Sequence, residues 1–394
     1  MDNLHSHKFI IFGGDGINAL GVVRCLGDMG INSYVIRLHP TEHIPPIETS
    51  KYVLRTWLAK TPEDVLSILL ENFSNEAEKP ILFFTDELHT EVFDRHYDEL
   101  KGKFISYNAG RSGALIKLLN KAYQCELAEE CGIKVPKYEI VKKGELPQNV
   151  PYPIITKTIT SNEGRWKQDM IICQNPEELK GAYAEIQAER LQIEEYIDST
   201  NEVDLKGFSI LGGKQIFFTH LKRWHYKDPA KGHLMYFEPC KDEVFKAQIS
   251  KKKKKANYSG IFDAEFIQDK KGDLYFLEVN WRTGMYNYNH TLEGVNLPYL
   301  WAKSSMDGFI DDQKIQVKKV NYTTLCELSS FGDVLRHPKQ IAHWIHEMRK
   351  ADVLYYFNEK DMYPCFVAWC LFLHRKVRNI LRKVFYSNNL SRSR

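Results

Sequence analysis

The sequence predicts three parts: an N-terminal α/β domain, a central α+β domain and a mainly helical C-terminal extension. The first 40 residues contain the order strand, glycine-rich turn, helix, strand, which is typical of a parallel α/β unit. After residue 113, strands and hairpins are interrupted by isolated helices, which indicates α+β. A chain of 394 residues exceeds one ordinary core, so we expect domains over residues 1–112, 113–305 and 306–394.

Composition excludes several classes of protein. With 43% hydrophobic and 27% charged residues, the chain is not expected to be disordered, collagen-like or a disulfide scaffold. Eight cysteines are scattered without a CxxC pair, which argues against zinc and redox motifs and fits reduced thiols in a cytoplasmic protein. The polar start predicts no secretory signal. The longest strongly apolar run, residues 365–373, is about half the length of a membrane span.

The formal net charge of +3 conceals an asymmetry between the body and the tail. After Asp361 the chain has seven Lys and Arg residues and no acidic residue, whereas residues 1–362 hold 47 Lys and Arg against 51 Asp and Glu. Within the tail, residues 363–386 have the spacing of a basic amphipathic helix. Two interpretations stay open for residues 363–394: peripheral contact with an anionic membrane, or docking on the protein body.

In the N-terminal domain, residues 8–12 form a short apolar strand, a helix extends to Met29, and residues 33–38 form a second strand. Residues 81–84 and 104–107 are predicted as further strands, with helical segments between them. The order of these elements predicts one small parallel α/β domain.

The turn after the first strand is rich in glycine. Its sequence, Gly14-Asp-Gly16-Ile-Asn-Ala19, fits the GxGxxA dinucleotide fingerprint. The second strand, however, carries Arg37 where that fingerprint has an acidic residue. Three interpretations stay open: an NADP site, a small-substrate site, or a plain turn.

In the central region, glycines, prolines and changes of hydrophobic period separate the predicted elements. A long helix over residues 114–131 is ended by Gly132. The later elements, in order, are strands 154–157 and 170–173, helix 176–189, strands 193–197, 203–211 and 215–221, a helix over about 241–255, and a hairpin of 261–267 with 274–280. Five lysines, residues 251–255, are predicted as a solvated helix end. Without interleaved aromatic residues they do not indicate nucleic-acid binding.

Charged residues alternate along the hairpin. Successive side chains of a strand point to opposite faces, so Asp263 and Glu265 share a face of the first strand. By the same rule, Glu278, Asn280 and Arg282 share a face of the second strand. The hairpin therefore concentrates polar groups on one side.

The predicted register brings these groups together. A two-residue turn at residues 271–272, the commonest hairpin loop, places Glu265 opposite Glu278 and Asp263 opposite Asn280. Like charges directly opposed across a hairpin are unfavourable, so a cation between them is indicated. Oxygen ligands of this kind suit magnesium that bridges to phosphate. The alternative is a solvated face whose acids point at water.

Two lysines and one strand complete the candidate site. Lys121 lies in the long helix, and Lys157 ends a strand before the polar loop 158–169, where a point charge is well placed to meet phosphate. The segment 191–197 offers edge backbone groups to a purine, and Glu202 follows where a carboxylate would hold a ribose. The alternatives are surface lysines and an ordinary strand and turn.

Taken in order, these positions resemble the ATP-grasp superfamily. The matching residues are Lys121, Lys157, Glu194-Glu-Tyr-Ile197, Glu202, Glu265 and Glu278-x-Asn280-x-Arg282. They cover residues 113–305, and the glycine-rich unit before them resembles the pre-ATP-grasp domain of that superfamily. The loop 157–169 and the ending Glu278-Val-Asn-Trp-Arg-Thr-Gly284, followed by Gly294-Val-Asn296, are similar to carboxylate–amine ligases of the D-aspartate ligase type.

The resemblance implies a role for each position. Lys121 and Lys157 would contact the nucleotide phosphates, and Lys157 and Arg282 would act in catalysis on the transferred phosphoryl group. The residues that would surround adenine and ribose are Glu194, Glu195, Ile197 and Glu202. The ligands of two magnesium ions, with manganese as an alternative, would be Glu265, Glu278 and Asn280. Lys222 and Arg223 are further candidate contacts to phosphate or carboxylate.

The implied activity is ATP-dependent amide formation. A carboxylate would attack the γ-phosphoryl group of ATP and become an acyl phosphate, from which an amine would displace phosphate. An amino-acid substrate in cell-envelope or peptide-like metabolite synthesis is expected, and a homodimer is a further expectation. The alternatives are an ATP-grasp carboxylase or kinase-like enzyme, and a non-catalytic ATP- or NADP-binding regulator. Trp281, where the family usually has proline, is a departure from the pattern.

Overall fold

The computed structural model describes residues 3–13, 16–38, 43–160, 163–199, 201–224 and 233–392. Gly14 and Asp15 of the glycine-rich turn, and residues 161–162 of the polar loop, lie outside the described residues. Within the described ranges the chain forms a four-stranded parallel sheet, a four-stranded antiparallel sheet and a seven-stranded sheet.

The first sheet is parallel, and its strand order is β3-β2-β1-β4. Its elements are β1 (Phe9–Phe12), α1 (Ile17–Asp28), β2 (Ser33–Leu38), β3 (Val53–Ala59), α2 (Pro62–Phe73), β4 (Ile81–Phe84), α3 (Glu87–Arg95) and α4 (Tyr97–Leu100). Every residue of β1 and β4 is buried, as expected for central strands covered on both faces. The strand predicted over residues 104–107 is wrong, because Ile105 makes an isolated bridge to Ile81.

The long helix predicted over residues 114–131 is divided into α5 (Ala114–Leu119) and α6 (Lys121–Glu129). Asn120 interrupts it with an extended backbone (φ −72°, ψ 117°), and its side chain accepts a hydrogen bond from the N–H of Tyr123. Asparagine favours this position because its side-chain oxygen satisfies a free N–H of the first turn. The interruption places Lys121 at the start of α6, where its N–H donates to the carbonyl of Ile159 (2.9 Å).

The second sheet forms a small lobe with its own apolar core, in the strand order β5-β8-β6-β7. Its elements are β5 (Tyr138–Lys142), β6 (Ile154–Thr158), β7 (Ile172–Cys173), α7 (Pro176–Ala182) and β8 (Arg190–Glu195). Ile154 and Leu191 are fully buried in this core. The helix predicted over 176–189 ends at Ala182, directly after a glycine, and the strand predicted over 193–197 both begins and ends earlier.

The third sheet has the strand order β13-β12-β9-β10-β11-β14-β15. Its strands are β9 (Asn201–Ile210), β10 (Gln215–Trp224), β11 (Met235–Glu238), β12 (Gly260–Gln268), β13 (Leu274–Asn280), β14 (Tyr322–Leu325) and β15 (Val353–Leu354). The associated helices are α8 (Glu243–Lys255), α9 (Leu297–Asp307), α10 (Glu327–Val334), α11 (Ile341–Lys350) and α12 (Tyr363–Arg392). Strands β14 and β15 come from the C-terminal region, so that region and the central region share one sheet.

The hairpin of β12 and β13 has the predicted pairing at its polar end. Asp263 is opposite Asn280, and Glu265 is opposite Glu278. The two-residue turn is wrong, because residues 269–273 join the strands. A β-bulge directly after Glu265 shifts the register by one residue and compensates for the longer loop. The opposed carboxylates are therefore confirmed although the turn is not.

The lysine run at the end of α8 is not wholly solvated, contrary to the prediction. Lys252 and Lys253 are buried, whereas the other three lysines of the run are exposed. Lys252 Nζ donates to the main-chain carbonyl of Gln124 (2.6 Å), and Lys253 Nζ lies 3.9 Å from the ring centroids of Phe262 and Trp281. Burial lowers the pKa of Lys252 to about 7 and also lowers the pKa of Lys253.

Lys252→Met is expected to raise the free energy of unfolding, because methionine keeps an apolar stem and removes a buried amine. The pKa of Lys252 is about 7 in the folded protein and 10.5 for the free side chain. Between these two pH values the unfolded chain therefore binds more protons than the folded protein. Wild-type stability therefore rises with pH across that window, and the variant should lose about 1.4 kcal/mol of this rise per pH unit.

Urea unfolding at neutral and mildly alkaline pH measures both effects. Lys254→Met is the matched control, since Lys254 is an exposed neighbour on the same helix. A Lys252→Met protein with the stability and the pH slope of the wild type would contradict the burial argument.

Helix α12 packs on the body and is preceded by a buried ion pair. The rings of Trp369 and Phe372 contact Phe331 of α10, with centroids 5.3 and 6.0 Å apart. Arg24 of α1 pairs with Asp361 (Nε to Oδ2, 3.1 Å), and both side chains are buried. This pair ties the N-terminal sheet to the segment before α12. Among the described residues, no helix is both long and apolar enough to cross a membrane.

Candidate active site

A cavity of about 350 Å³ lies between the sheet of the small lobe and the seven-stranded sheet. Its size falls in the range of small-molecule and cofactor sites. The predicted site residues that line it are Lys121, Lys157, Glu194, Glu195, Ile197, Glu202, Glu265 and Glu278. The predicted residues outside its lining are Lys222, Arg223, Asn280 and Arg282. The fold therefore gathers positions that are more than 150 residues apart in the chain.

Lys157 and Glu194 form a buried ion pair on one side of the cavity. They lie on the neighbouring strands β6 and β8, and Lys157 Nζ is 2.5 Å from Glu194 Oε2. The other carboxylate oxygen of Glu194 accepts a hydrogen bond from Gln192 Nε2 (2.6 Å). Burial lowers the pKa of Lys157, but the charge and hydrogen bond of Glu194 outweigh it, so the net shift is upward. Lys157 is therefore a fixed positive charge.

The end of β8 forms the far wall of the cavity. The N–H of Glu195 donates to the carbonyl of Lys137 (2.8 Å), and the N–H of Tyr196 donates to the carbonyl of Pro153 (2.9 Å). Both bonds hold the segment that leads to Ile197 against the small lobe. The end of the segment predicted to contact a purine thus lines the cavity between the two sheets.

Lys121 and Glu278 form an ion pair on the opposite side of the cavity from Lys157 and Glu194. Lys121 Nζ, at the start of α6, lies 3.5 Å from Glu278 Oε2 on β13. Burial opposes ionisation of Glu278, but Lys121, Lys157 and Arg282 together lower its pKa. The carboxylate of Glu278 is therefore held in its charged form.

Three carboxylates of the seven-stranded sheet are close enough to share a cation. Oxygens of Asp204, Asp263 and Glu265 all lie within 4.8 Å of one another. Burial, and then the charges of Asp204 and Glu278, raise the pKa of Glu265 well above its usual range. Buried carboxylates at such distances repel one another unless a proton or a cation separates them. Lys222 pairs with Asp204, and Lys206 pairs with Asp263 (3.4 Å), so two of the three carboxylates already have a cationic partner. Their oxygens are nevertheless of the type that a divalent metal prefers.

Sequence reasoning missed Asp204 as a site residue. Charged side chains alternate at Glu202, Asp204 and Lys206 on β9, with the same two-residue period that identified the hairpin carboxylates. The sequence shows this alternation but does not show which strand pairs with β9. The pairing of β9 with β12 places Asp204 directly opposite Glu265.

Asn280 and Arg282 extend the carboxylate cluster along β13. Asn280 Nδ2 donates to Glu265 Oε1 (2.5 Å), and Arg282 Nη2 donates to Asn280 Oδ1 (2.9 Å). The two predicted residues are therefore connected to the cavity through Glu265, although they do not line it. This chain of bonds orients Glu265 from behind.

Lys222 and Arg223 are neighbours on β10, so their side chains point to opposite faces of the sheet. Lys222 is buried, with Nζ 3.0 Å from Glu202 Oε1, and it also forms an ion pair with Asp204. Arg223 pairs with Glu238 (2.6 Å) and lines a different cleft. The structure thus brings Lys222 to the carboxylate cluster and does not bring Arg223 to the cavity.

Trp281 faces away from the cavity. Its ring is fully buried, 4.9 Å from the ring of Tyr258 and 3.9 Å from Lys253 Nζ. Asn280 and Arg282, one residue to either side, point to the other face of the strand. The tryptophan therefore alters core packing behind the site, not the wall of the cavity.

The N-terminal sheet approaches the site beside Arg282. The N–H of Thr283 donates to the carbonyl of Phe84 at the end of β4 (3.0 Å). Burial opposes ionisation of Asp86, but His89 and, more weakly, Arg282 lower its pKa. The carboxyl ends of parallel strands are common positions for ligand-binding loops. The end of β4 in the parallel sheet therefore lies next to the segment that carries Arg282.

Comparison with known proteins finds one sequence relative and several similar structures. No protein-family model matches the chain. The chain is 26% identical over 304 residues to the 2-oxoglutarate carboxylase small subunit of Hydrogenobacter thermophilus. The match covers 70% of this chain and 61% of that subunit, so it spans less than two thirds of the relative's length.

Three solved structures illustrate the similarity of fold. An L-amino acid ligase from Bacillus licheniformis is 14% identical with a TM-score of 0.60, over 79% of this chain and 78% of that one. The biotin carboxylase domain dimer of the Hydrogenobacter thermophilus 2-oxoglutarate carboxylase, in complex with MgADP, ADP and bicarbonate, is 17% identical with a TM-score of 0.62, over 80% and 73%. N5-carboxyaminoimidazole synthetase from Staphylococcus aureus, complexed with ADP, is 17% identical with a TM-score of 0.58, over 84% and 86%. The chain therefore shares its fold with these ligases and carboxylases. The finer resemblance to the D-aspartate ligase type stays a prediction.

Proposed function

We propose that this protein is an ATP- and Mg²⁺-dependent ligase that joins a carboxylate, most simply that of an amino acid, to an amine. The observation that carries the proposal is the cavity itself. It combines two lysines, a strand end and buried carboxylates in one space between two sheets. That combination suits a nucleoside triphosphate, whose base needs an apolar slot and whose phosphates need cations.

The cavity offers both ends of such a slot. Its apolar lining consists of Pro136, Ile155, Met170, Ile172, Ile197, Ile267 and Leu277, which would enclose the adenine. Lys121 and Lys157 would contact the phosphates, and Glu202, which accepts from Lys222, would hold the ribose. In this assignment Glu194 acts as the partner that keeps Lys157 in position and charged.

The acidic cluster fits magnesium. Glu265, Glu278 and Asn280 supply oxygen donors, and Asp204 adds a fourth on the neighbouring strand. We propose that these residues hold two Mg²⁺ ions. When bound, the ions would neutralise charge on the phosphates and reduce the electrostatic repulsion among the clustered carboxylates.

The chemistry follows from these charges. A carboxylate oxygen of the substrate attacks the γ-phosphorus of ATP, the bond to the bridging oxygen breaks, and ADP leaves. The amine then attacks the acyl carbon, loses a proton and displaces inorganic phosphate. Lys157 and Arg282 stabilise the negative charge that builds on the phosphoryl oxygens, which is the largest contribution a protein makes to this reaction.

A carboxylase is the second candidate, and the sequence relative favours it. The curated match is a carboxylase subunit. In that case bicarbonate would take the place of the carboxylate as the group that attacks ATP. The nucleotide and metal residues would keep the same roles, so the two candidates differ only beyond the γ-phosphate.

The proposed reaction is expected to release ADP and phosphate from Mg²⁺-ATP only when a carboxylate and an amine are both present. A panel of amino acids, each tested as acid and as amine, is the first screen. With the carboxylate labelled with oxygen-18, one labelled atom should appear in the phosphate. ADP release that requires bicarbonate and no other acid would identify the carboxylase, whereas AMP and pyrophosphate would contradict both candidates.

A further inference from the structure

Helix α12 has two apolar faces, and one of them packs against the body of the protein. Ala368 is buried, and Trp369 and Phe372 pack on Phe331 of α10. This contact fixes the first half of α12 against the body. The face on the other side of the helix is therefore turned outwards.

That outer face carries a row of apolar side chains, which we call the exposed stripe: Tyr363, Phe366, Leu373 and Val377. Their exposed fractions are 62%, 63%, 51% and 55%. Steps of three, seven and four residues place them on one side of a helix. In the sequence the same spacing continues to Ile380. A contiguous apolar row of this kind marks an interaction surface.

The charge around the stripe indicates what covers it. From residue 362 onwards the chain has seven Lys and Arg residues and no acidic residue, whereas the rest of the chain is mildly acidic. Arg375 and Arg378 line a cleft on the body side of α12, so these two cations leave the stripe uncovered. A second copy of α12 would bring equal positive charge against it, which is unfavourable. An anionic surface is attracted instead.

We propose that α12 lies in the plane of an anionic phospholipid membrane, with the exposed stripe inserted among the headgroups and acyl chains. The helix of 30 residues is about 45 Å long, which gives room for many headgroup contacts. Apolar insertion and electrostatic attraction act together in such interfacial helices. The body, held on the inner face of α12, stays outside the bilayer.

Sedimentation of the full-length protein with phospholipid vesicles tests the proposal. We expect binding to phosphatidylcholine vesicles that contain phosphatidylglycerol, and little binding to phosphatidylcholine alone. The triple variant Phe366→Gln/Leu373→Gln/Val377→Gln should bind the anionic vesicles with an affinity lower by about tenfold or more, because it removes apolar insertion. Raising the salt concentration should weaken wild-type binding as well.

A matched control distinguishes binding through the exposed stripe from non-specific hydrophobic adsorption to vesicles. Leu54→Gln/Leu58→Gln/Val244→Gln removes three other exposed apolar side chains and should keep wild-type binding. The stripe variant should keep the wild-type unfolding temperature, since its altered residues are exposed.

Three results would overturn the proposal. One is the absence of binding to anionic vesicles, and another is equal binding by the stripe variant and the wild type. The third is light scattering that shows a dimer of the wild type which the stripe variant lacks, because a second copy would then cover the stripe.

Discussion

Lys157→Met is expected to lower ATP-dependent ADP release by about 10²–10³-fold, the typical cost of removing one group that stabilises a transition state. Lys157 lines the cavity, and Glu194 raises its pKa against the opposite effect of burial, so the amine stays charged. That charge would meet the phosphoryl oxygens as negative charge builds on them. Steady-state ADP release with Mg²⁺-ATP and both substrates measures the loss.

The control for this variant must separate chemistry from folding. Removing one member of a buried ion pair costs about 3–5 kcal/mol of stability, because the partner is left charged and unpaired. Lys157→Met/Glu194→Gln removes both charges and should unfold close to the wild-type temperature while remaining inactive. Lys180→Met alters an exposed lysine of the same lobe and should leave turnover unchanged. A folded double variant with wild-type ADP release would refute the phosphate role of Lys157.

Glu278→Gln is expected to lower turnover by about 10²-fold or more and to raise the Mg²⁺ concentration needed for half-maximal rate. The amide keeps the shape of the side chain and removes the charge. Burial opposes ionisation of Glu278, but Lys121, Lys157 and Arg282 lower its pKa, so the wild type offers a full carboxylate to a cation. Titration of ADP by calorimetry, with and without Mg²⁺, measures the metal contribution separately from catalysis.

In the calorimetric experiment, wild-type protein should bind ADP more tightly with Mg²⁺, and Glu278→Gln should lose most of that difference. Glu238→Gln is the matched control, because Glu238 lies in the same sheet and pairs with Arg223 away from the cavity. An unchanged Mg²⁺ requirement in Glu278→Gln would show that the metal is held elsewhere.

The pairing of the hairpin carboxylates was predictable from local pattern. A two-residue alternation placed Asp263 and Glu265 on one face of β12, and the structure has Glu265 opposite Glu278. The pairing was right although the turn was wrong, because a bulge after Glu265 offsets the longer loop. Local alternation is a property of the strand itself, so it survives an error at the far end of the hairpin.

Other features depended on neighbours that a sequence does not name. Asp204 joins the cluster because β9 pairs with β12, a contact between strands that are more than 50 residues apart. Lys252 and Lys253 are buried because α8 packs behind the hairpin, although five consecutive lysines ordinarily indicate solvent. Arg223 is separated from Lys222 because adjacent residues of a strand face opposite ways, and only the packed sheet decides which face meets the cavity.

The sequence by itself determined the type of most elements, the order of the site residues along the chain and the charge contrast between body and tail. These depend on spacing and composition, which are local properties of the chain. The tertiary structure decided that the small lobe and the seven-stranded sheet close on one cavity, that Asp204 adjoins Glu265, and that α12 packs one apolar face and exposes the other. Those outcomes depend on which surfaces bury each other, and burial is a property of the whole fold.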